Sequence, residues 1–113
     1  MCEALYPAFF QWKEWMTGAS NRSNGSGKTA LVVDDSVVAR EKIASILQEL
    51  GCTVLTASDG LEGVKLAKER GSEIDLVVLD IQMPRMDGNT ALKYMRLIPE
   101  MASLPIIMLT TQV

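Results

Sequence analysis

The chain has 113 residues, 48% of them hydrophobic, and a formal net charge of -3 at pH 7, which supports one domain with a buried core and leaves no room for two. The acidic balance and the lack of a Lys/Arg cluster argue against direct nucleic-acid binding, and no apolar run approaches the roughly 20 residues of a membrane span. There is no histidine, and Cys2 and Cys52 lie far apart, which excludes the usual zinc sites and His-dependent catalytic groups and favours a reduced, cytoplasmic protein.

The first 17 residues carry most of the aromatic side chains. Five of the six aromatic residues of the chain are here: Tyr6, Phe9, Phe10, Trp12 and Trp15. A signal peptide is not predicted, because the apolar run 5–10 is short and contains Pro7. Residues 18–29 are dominated by Gly, Ser and Asn and are predicted to be a flexible linker. The chain therefore divides into an aromatic segment (1–17), a linker (18–29) and a domain (30–113).

The domain alternates short, β-branched apolar runs with segments of helical period. Strands are predicted at 30–33, 53–57, 76–79 and 106–109, and helices at 36–50, 59–70 and 89–98. The runs 30–33 and 76–79 are apolar throughout, which is typical of central strands that are buried on both faces. This β-α-β-α-β-α-β order predicts an α/β fold with a parallel sheet between helices.

Caps and periodicity define the first two helices. Ser36 is a suitable N-cap for the first helix, and Gly51 and Gly71 are predicted to end the first and second helices. The inward stripes are predicted from a period of 3.6 residues. They consist of Val37, Ile43, Ile46, Leu47 and Leu50 in the first helix and of Leu61, Val64 and Ala67 in the second.

Polar residues follow three of the predicted strands. Asp34 and Asp35 follow the first strand, Asp80 follows the third and Thr110 follows the fourth. In an open parallel sheet, ligands bind beyond the carboxyl ends of the strands, and adjacent strands are only about 5 Å apart. If the first and third strands are neighbours, the three aspartates form one acidic pocket.

Such a pocket calls for a cation, because three close carboxylates repel one another. Oxygen ligands without His or Cys favour Mg²⁺, which accepts a few carboxylates and keeps several waters. A metal that neutralises charge, a carboxylate nucleophile and the Thr110 hydroxyl together make half of a phosphoryl-transfer site. The alternative explanation of Asp34 and Asp35 is a turn whose carboxylates cap the next helix.

Three ordered segments resemble the signature motifs of response-regulator receiver domains. They are VVDDS (32–36), LDIQMPRMDG (79–88) and IIMLTT (106–111). The resemblance covers residues 30–111 and implies a flavodoxin-like, three-layer α/β/α fold. It implies further that Asp80 is the phosphoacceptor, that Asp35 and Asp80 bind Mg²⁺ directly and that Asp34 assists, partly through water. The backbone carbonyl of Gln82 would be the remaining protein ligand, and Thr110 would contact the phosphoryl group and act as a switch.

The sequence also departs from the family pattern. A receiver of this kind continues with a fifth strand that carries a lysine and with two more helices, whereas no lysine follows Lys93 here. We therefore expect an incomplete receiver whose fourth strand is an exposed edge with uncovered apolar surface. Three resolutions are open: the sequence is a fragment, another chain completes the sheet (for example in a homodimer), or residues 1–17 fold back over the bare face.

The leading functional hypothesis is a phosphoacceptor module of a two-component phosphorelay. It would receive its phosphoryl group from a sensor histidine kinase or a phosphotransfer protein and switch a binding surface, without acting as an enzyme on other substrates. The alternative is a degenerate receiver used only for interaction or dimerisation. An aspartyl phosphatase fits less well, because such enzymes present a DxD arrangement, and Gln82 stands where the second acid is needed.

Overall fold

A single mixed sheet organises the domain. The computed structural model describes residues 2–4 and 27–109, and the account below concerns these residues. The strands are β1 (Cys2–Ala4), β2 (Thr29–Val33), β3 (Thr53–Ala57), β4 (Leu76–Asp80) and β5 (Ile106–Leu109). They lie in the order β1-β5-β4-β2-β3. Strands β2 to β5 are parallel, in the flavodoxin-like order, so the predicted fold class is confirmed.

The helices connect consecutive parallel strands. They are α1 (Val37–Glu49), α2 (Gly60–Arg70) and α3 (Gly88–Arg96), with short 3₁₀ turns at Gly71–Glu73 and Pro99–Met101. Each α-helix begins with a side-chain cap, because Ser36, Asp59 and Asp87 accept hydrogen bonds from backbone N–H groups of the first turn. The element boundaries lie within two residues of the predicted ones, and Thr29, which was assigned to the linker, begins β2.

Alternate residues of the central strands supply two separate cores. On one face, Leu31, Val33, Val77 and Leu79 pack with buried residues of α2 and α3. The other face carries a smaller cluster, which is completed by Leu47 of α1; its strand residues are Ala30, Val32, Leu76, Val78 and Ile107. All residues of β4 are buried, as predicted for a strand that is covered on both sides.

The predicted inward faces of the helices were only partly right. Leu47, Val64 and Ala67 are buried and Ile43 is partly buried, as expected. The prediction was wrong for four residues that are exposed: Val37, Ile46, Leu50 and Leu61. The apolar stripe on each helix is wider than the surface that the helix packs against, and that surface, not the stripe, fixes the rotation of the helix about its axis.

The far edge of β5 is not bare. Strand β1 pairs antiparallel with β5, with Cys2 opposite Leu109 and Ala4 opposite Ile107. The expectation that the fourth parallel strand is an exposed edge was therefore wrong, because a segment more than a hundred positions earlier in the chain satisfies that edge. The other residues of the aromatic segment, and residues 18–26 of the linker, lie outside the described residues.

The structure also describes the environment of Cys52 and the length and hydropathy of the helices. Cys52 is a buried thiol just before β3 that forms no disulfide within the described residues, and burial raises its pKa. None of the helices in the described part of the chain is long and apolar enough to cross a membrane.

Candidate functional site

The acidic pocket lies where the central strands end. Asp34 directly follows β2, and Asp80 is the last residue of β4, the strand that pairs with β2. Each of Asp34, Asp35 and Asp80 offers a carboxylate oxygen, and these oxygens lie within 4.8 Å of one another. The structure thus brings together the three aspartates that the strand ends predict.

Asp34 supports the turn and also points an oxygen into the pocket. It is 1% exposed, and its Oδ1 accepts the Ser36 N–H at 2.8 Å. Its Oδ2 is buried and accepts no hydrogen bond from any residue that the structure describes. A buried carboxylate oxygen without a partner is costly, so a ligand with positive charge is the natural complement. The alternative explanation is therefore correct about the turn, which one Asp34 oxygen forms, and wrong about the cap, which Ser36 supplies; the other Asp34 oxygen is left to the pocket.

Two more side chains lie beside Asp34 at the end of β2, those of Asp35 and Arg40. Asp35 is exposed, which gives the pocket a solvent-facing carboxylate. Arg40, one turn into α1, donates from Nη1 to the backbone carbonyl of Asp34 at 2.6 Å. Sequence reasoning missed Arg40. Its place four residues after the N-cap Ser36, which turns its side chain back toward the start of the helix, is the signal that could have found it.

Asp80 is buried, like Asp34. It is 1% exposed, and its Oδ1 accepts the N–H of Gln82 at 3.2 Å. Burial raises the pKa of Asp80 to about 6; the Gln82 N–H opposes this rise, and the negative charges of Asp34 and Asp35 add to it. At neutral pH most of the Asp80 carboxyl is ionised, but at a cost that a bound cation would remove.

The loop 81–87 returns tightly to the end of β4. Gly88 N–H donates to the Ile81 carbonyl at 2.8 Å. A Cβ at position 88 would lie 2.2 Å from the carbonyl oxygen of Asp80, so only glycine fits this approach without moving the backbone. Glycine at position 88 therefore allows the start of α3 to lie directly against the backbone of Asp80.

The remaining predicted site residues are Gln82 and Thr110. Gln82 is exposed and donates its backbone N–H to Asp80, and the role of its carbonyl as a metal ligand remains a prediction. Thr110 directly follows β5 and lies outside the described residues, so its predicted contact with a phosphoryl group remains a prediction.

The donor set fits a hard divalent cation. It consists of carboxylate oxygens, one of them buried and without a hydrogen-bond partner. Mg²⁺ prefers such oxygens and keeps waters on its open side, which the exposed Asp35 permits. The residues present are therefore suited to Mg²⁺.

The fold and this cluster define a receiver domain. The family model described as the response regulator receiver domain matches residues 30–113, and the chain belongs to that family.

Proteins of chemotaxis signalling are among its relatives. The chemotaxis protein CheY of Treponema pallidum is 45% identical over 76 residues, which cover 66% of this chain and 53% of CheY. The sensor histidine kinase CheAY of Helicobacter pylori is 36% identical over 93 residues, which cover 82% of this chain and 12% of the kinase. The structure of Vibrio cholerae CheY4 matches with a TM-score of 0.72 at 34% identity, covering 78% of this chain and 72% of CheY4. The chain thus spans about half of the Treponema relative and a small part of the kinase.

Proposed function

We propose that this receiver domain accepts a phosphoryl group on Asp80, with Mg²⁺ held by Asp34, Asp35, Asp80 and the backbone carbonyl of Gln82. The observation that carries the proposal is the convergence of three carboxylates within 4.8 Å around a buried aspartate at the end of β4. When bound, Mg²⁺ would offset the negative charge of the pocket and of the incoming phosphoryl group.

The side chain of Asp80 is suited to be the nucleophile. Its Oδ1 is held by the N–H of Gln82, which fixes the carboxylate in one orientation. An Asp80 oxygen forms the new bond to phosphorus as the bond between phosphorus and the donor's leaving group breaks, and the leaving group takes that electron pair. The product is an acyl phosphate on Asp80, so the domain stores the group and does not release a product.

The donor in this proposal is a histidine kinase or a phosphotransfer protein. Relatives of the chain include a chemotaxis receiver and a histidine kinase. The proposal includes a cytoplasmic location, a compartment in which cysteines stay reduced. The output is a change of binding surface, with no enzymatic action on other substrates.

Phosphorylation of the isolated chain tests the proposal. Incubation with Mg²⁺ and acetyl phosphate is expected to add the mass of one phosphoryl group to the wild-type chain and none to Asp80→Asn. The adduct should be stable in acid and lost in base, and EDTA should prevent it. Intact-mass spectrometry measures each of these outcomes.

Asp87→Asn is the matched control. Asp87 lies in the loop that follows Asp80 and is exposed, and asparagine can still cap α3 by accepting the N–H of Thr90. The Asp87→Asn variant is expected to be labelled like the wild type. An adduct that persists in Asp80→Asn would assign the acceptor elsewhere. A folded wild-type chain that binds Mg²⁺ and takes no label would favour a module used only for interaction.

A further inference from the structure

The loop 81–87 is held at its two ends by the backbone. Ile81 N–H donates to the carbonyl of Leu109 at 2.9 Å, and Gly88 N–H donates to the carbonyl of Ile81 at 2.8 Å. Gln82, whose carbonyl is the proposed metal ligand, lies just inside the first of these anchors. Beyond Gln82, whose N–H is bonded to Asp80, the loop continues outward through residues 83–86.

An ion pair joins this outer part of the loop to helix α2. Arg85 donates from Nε to Asp59 Oδ2 at 3.1 Å and also donates from Nη2 to the same oxygen. The Asp59 side chain is only 8% exposed, whereas that of Arg85 is 62% exposed. The two residues are 26 positions apart, so the contact exists only in the folded domain.

Asp59 is a firm anchor because it is already fixed as the N-cap of α2. Its Oδ1 accepts the N–H of Glu62 at 2.9 Å, and Glu62 Oε1 in turn accepts the N–H of Ser58 at 2.7 Å. Glu62 thus reaches back over the helix start as in a capping box, but it accepts from Ser58, the residue before the N-cap, and not from Asp59 itself. The hydrogen bond from Glu62, followed by that from Arg85, lowers the pKa of Asp59, so the carboxylate stays charged at neutral pH.

The loop backbone also fits closely against the same helix start. A Cβ at Gly60 would lie 2.4 Å from the Met86 carbonyl oxygen and 2.9 Å from the Met86 Cβ. Glycine at position 60 therefore lets the loop approach α2 directly beside the Arg85–Asp59 pair. The Arg85 side chain and the Met86 backbone thus both contact the start of α2.

The backbone conformation of Arg85 is unusual for its residue type. Its φ is 65°, in the left-handed region that glycine and asparagine adopt most readily. An arginine placed there carries a conformational cost. The contact with Asp59 accounts for a long, charged side chain at a position where the backbone favours a small residue.

We infer that Arg85 and Asp59 are a positioning pair that holds the loop 81–87 against α2, so that the Gln82 carbonyl reaches the metal site. The inference rests on the proposed function for the identity of that site. The pair touches neither the metal nor the phosphoryl group; it acts through the loop backbone. Because the arginine end is exposed, the pair contributes little to the stability of the fold and much to the geometry of one loop.

The variants Arg85→Asn and Asp59→Asn test the pair, together with their double variant. Asparagine tolerates a positive φ at position 85 and keeps the helix cap at position 59. Amide hydrogen exchange across residues 82–86 is expected to be roughly tenfold faster in each variant without Mg²⁺, and the Kd for Mg²⁺, measured by calorimetry, to rise roughly tenfold. The double variant should lose no more than either single variant. Arg85→Lys should recover part of the loss.

Arg70→Gln is the matched control, because Arg70 forms an exposed ion pair with Glu73 at the other end of α2. The rate of amide exchange across residues 82–86 and the Kd for Mg²⁺ should both stay at their wild-type values in this variant. Unchanged loop exchange and Mg²⁺ affinity in the Arg85 and Asp59 variants would overturn the positioning role, even if the wild type is phosphorylated. Altered exchange and affinity in a chain that takes no phosphoryl group would instead leave the pair in place and refute the acceptor function alone.

Discussion

Alanine at position 88 is expected to lower the free energy of unfolding by about 3 kcal/mol, the upper part of the range for forcing an extra carbon into a packed site. The new Cβ would lie 2.2 Å from the Asp80 carbonyl oxygen and 2.8 Å from the Ile81 Cα. Both contacts are with backbone atoms, which cannot rotate away as a side chain could. Urea unfolding measures the loss, and the midpoint should fall while the slope stays constant.

Gly71→Ala provides the control for this prediction. Position 71 has a right-handed helical conformation, and its Cβ would lie 3.5 Å from Ile98 Cγ2, an ordinary contact. This variant should be neutral or slightly more stable, because alanine reduces the freedom of the unfolded chain. A Gly88→Ala domain as stable as Gly71→Ala would show that the loop after β4 can move away, and that it does not hold Asp80 in place.

Asp80→Asn is expected to stabilise the metal-free domain at pH 7.5 by as much as about 3 kcal/mol. In the wild type, burial and the neighbouring carboxylates raise the pKa of Asp80 from 3.8 to about 6. The folded state therefore favours the protonated carboxyl, so its contribution to stability is full below pH 3.8 and is lost as the pH rises through 6. Asparagine carries no charge, so it does not pay this cost at any pH.

The pH dependence separates this cause from a general effect of the substitution. The difference in unfolding free energy between Asp80→Asn and wild type should shrink from pH 7.5 to pH 4.5, measured by urea unfolding in EDTA. Saturating Mg²⁺ at pH 7.5 should stabilise the wild type more than the variant. Asp87→Asn should show no such gain, because the Thr90 N–H lowers the pKa of the exposed Asp87. A gain in Asp80→Asn of equal size at both pH values would contradict the explanation by charge burial.

Much of the parallel sheet could be predicted because its strands are buried on both faces. Such strands are apolar at every position, so the runs at 30–33 and 76–79 stand out against the helical segments between them. The acidic pocket followed from the same reasoning, because parallel strands that are neighbours end at the same edge. Asp34 and Asp80 therefore had to lie close together once β2 and β4 were adjacent.

Features that depend on tertiary contacts could not be predicted. Strand β1 has three residues, too few for a period to be recognised, and only its pairing with β5 makes it a strand. The exposure of Leu61 depends on the rotation of α2, which the sheet decides. The contact of Arg85 with Asp59 joins two turns that are separate in sequence, and the positive φ of Arg85 has no signal in the residue itself.

The pairing of β1 with β5 has a consequence for the order in which the sheet is completed. Cys2–Ala4 precedes the other described strands in the chain, and its partner Ile106–Leu109 is the last of them. Pairing of β1 with β5 therefore closes a very long loop and carries the entropy cost of that closure. The central parallel strands can pair before this step, so the outermost strand is expected to be the last to join during folding and the first to detach during unfolding.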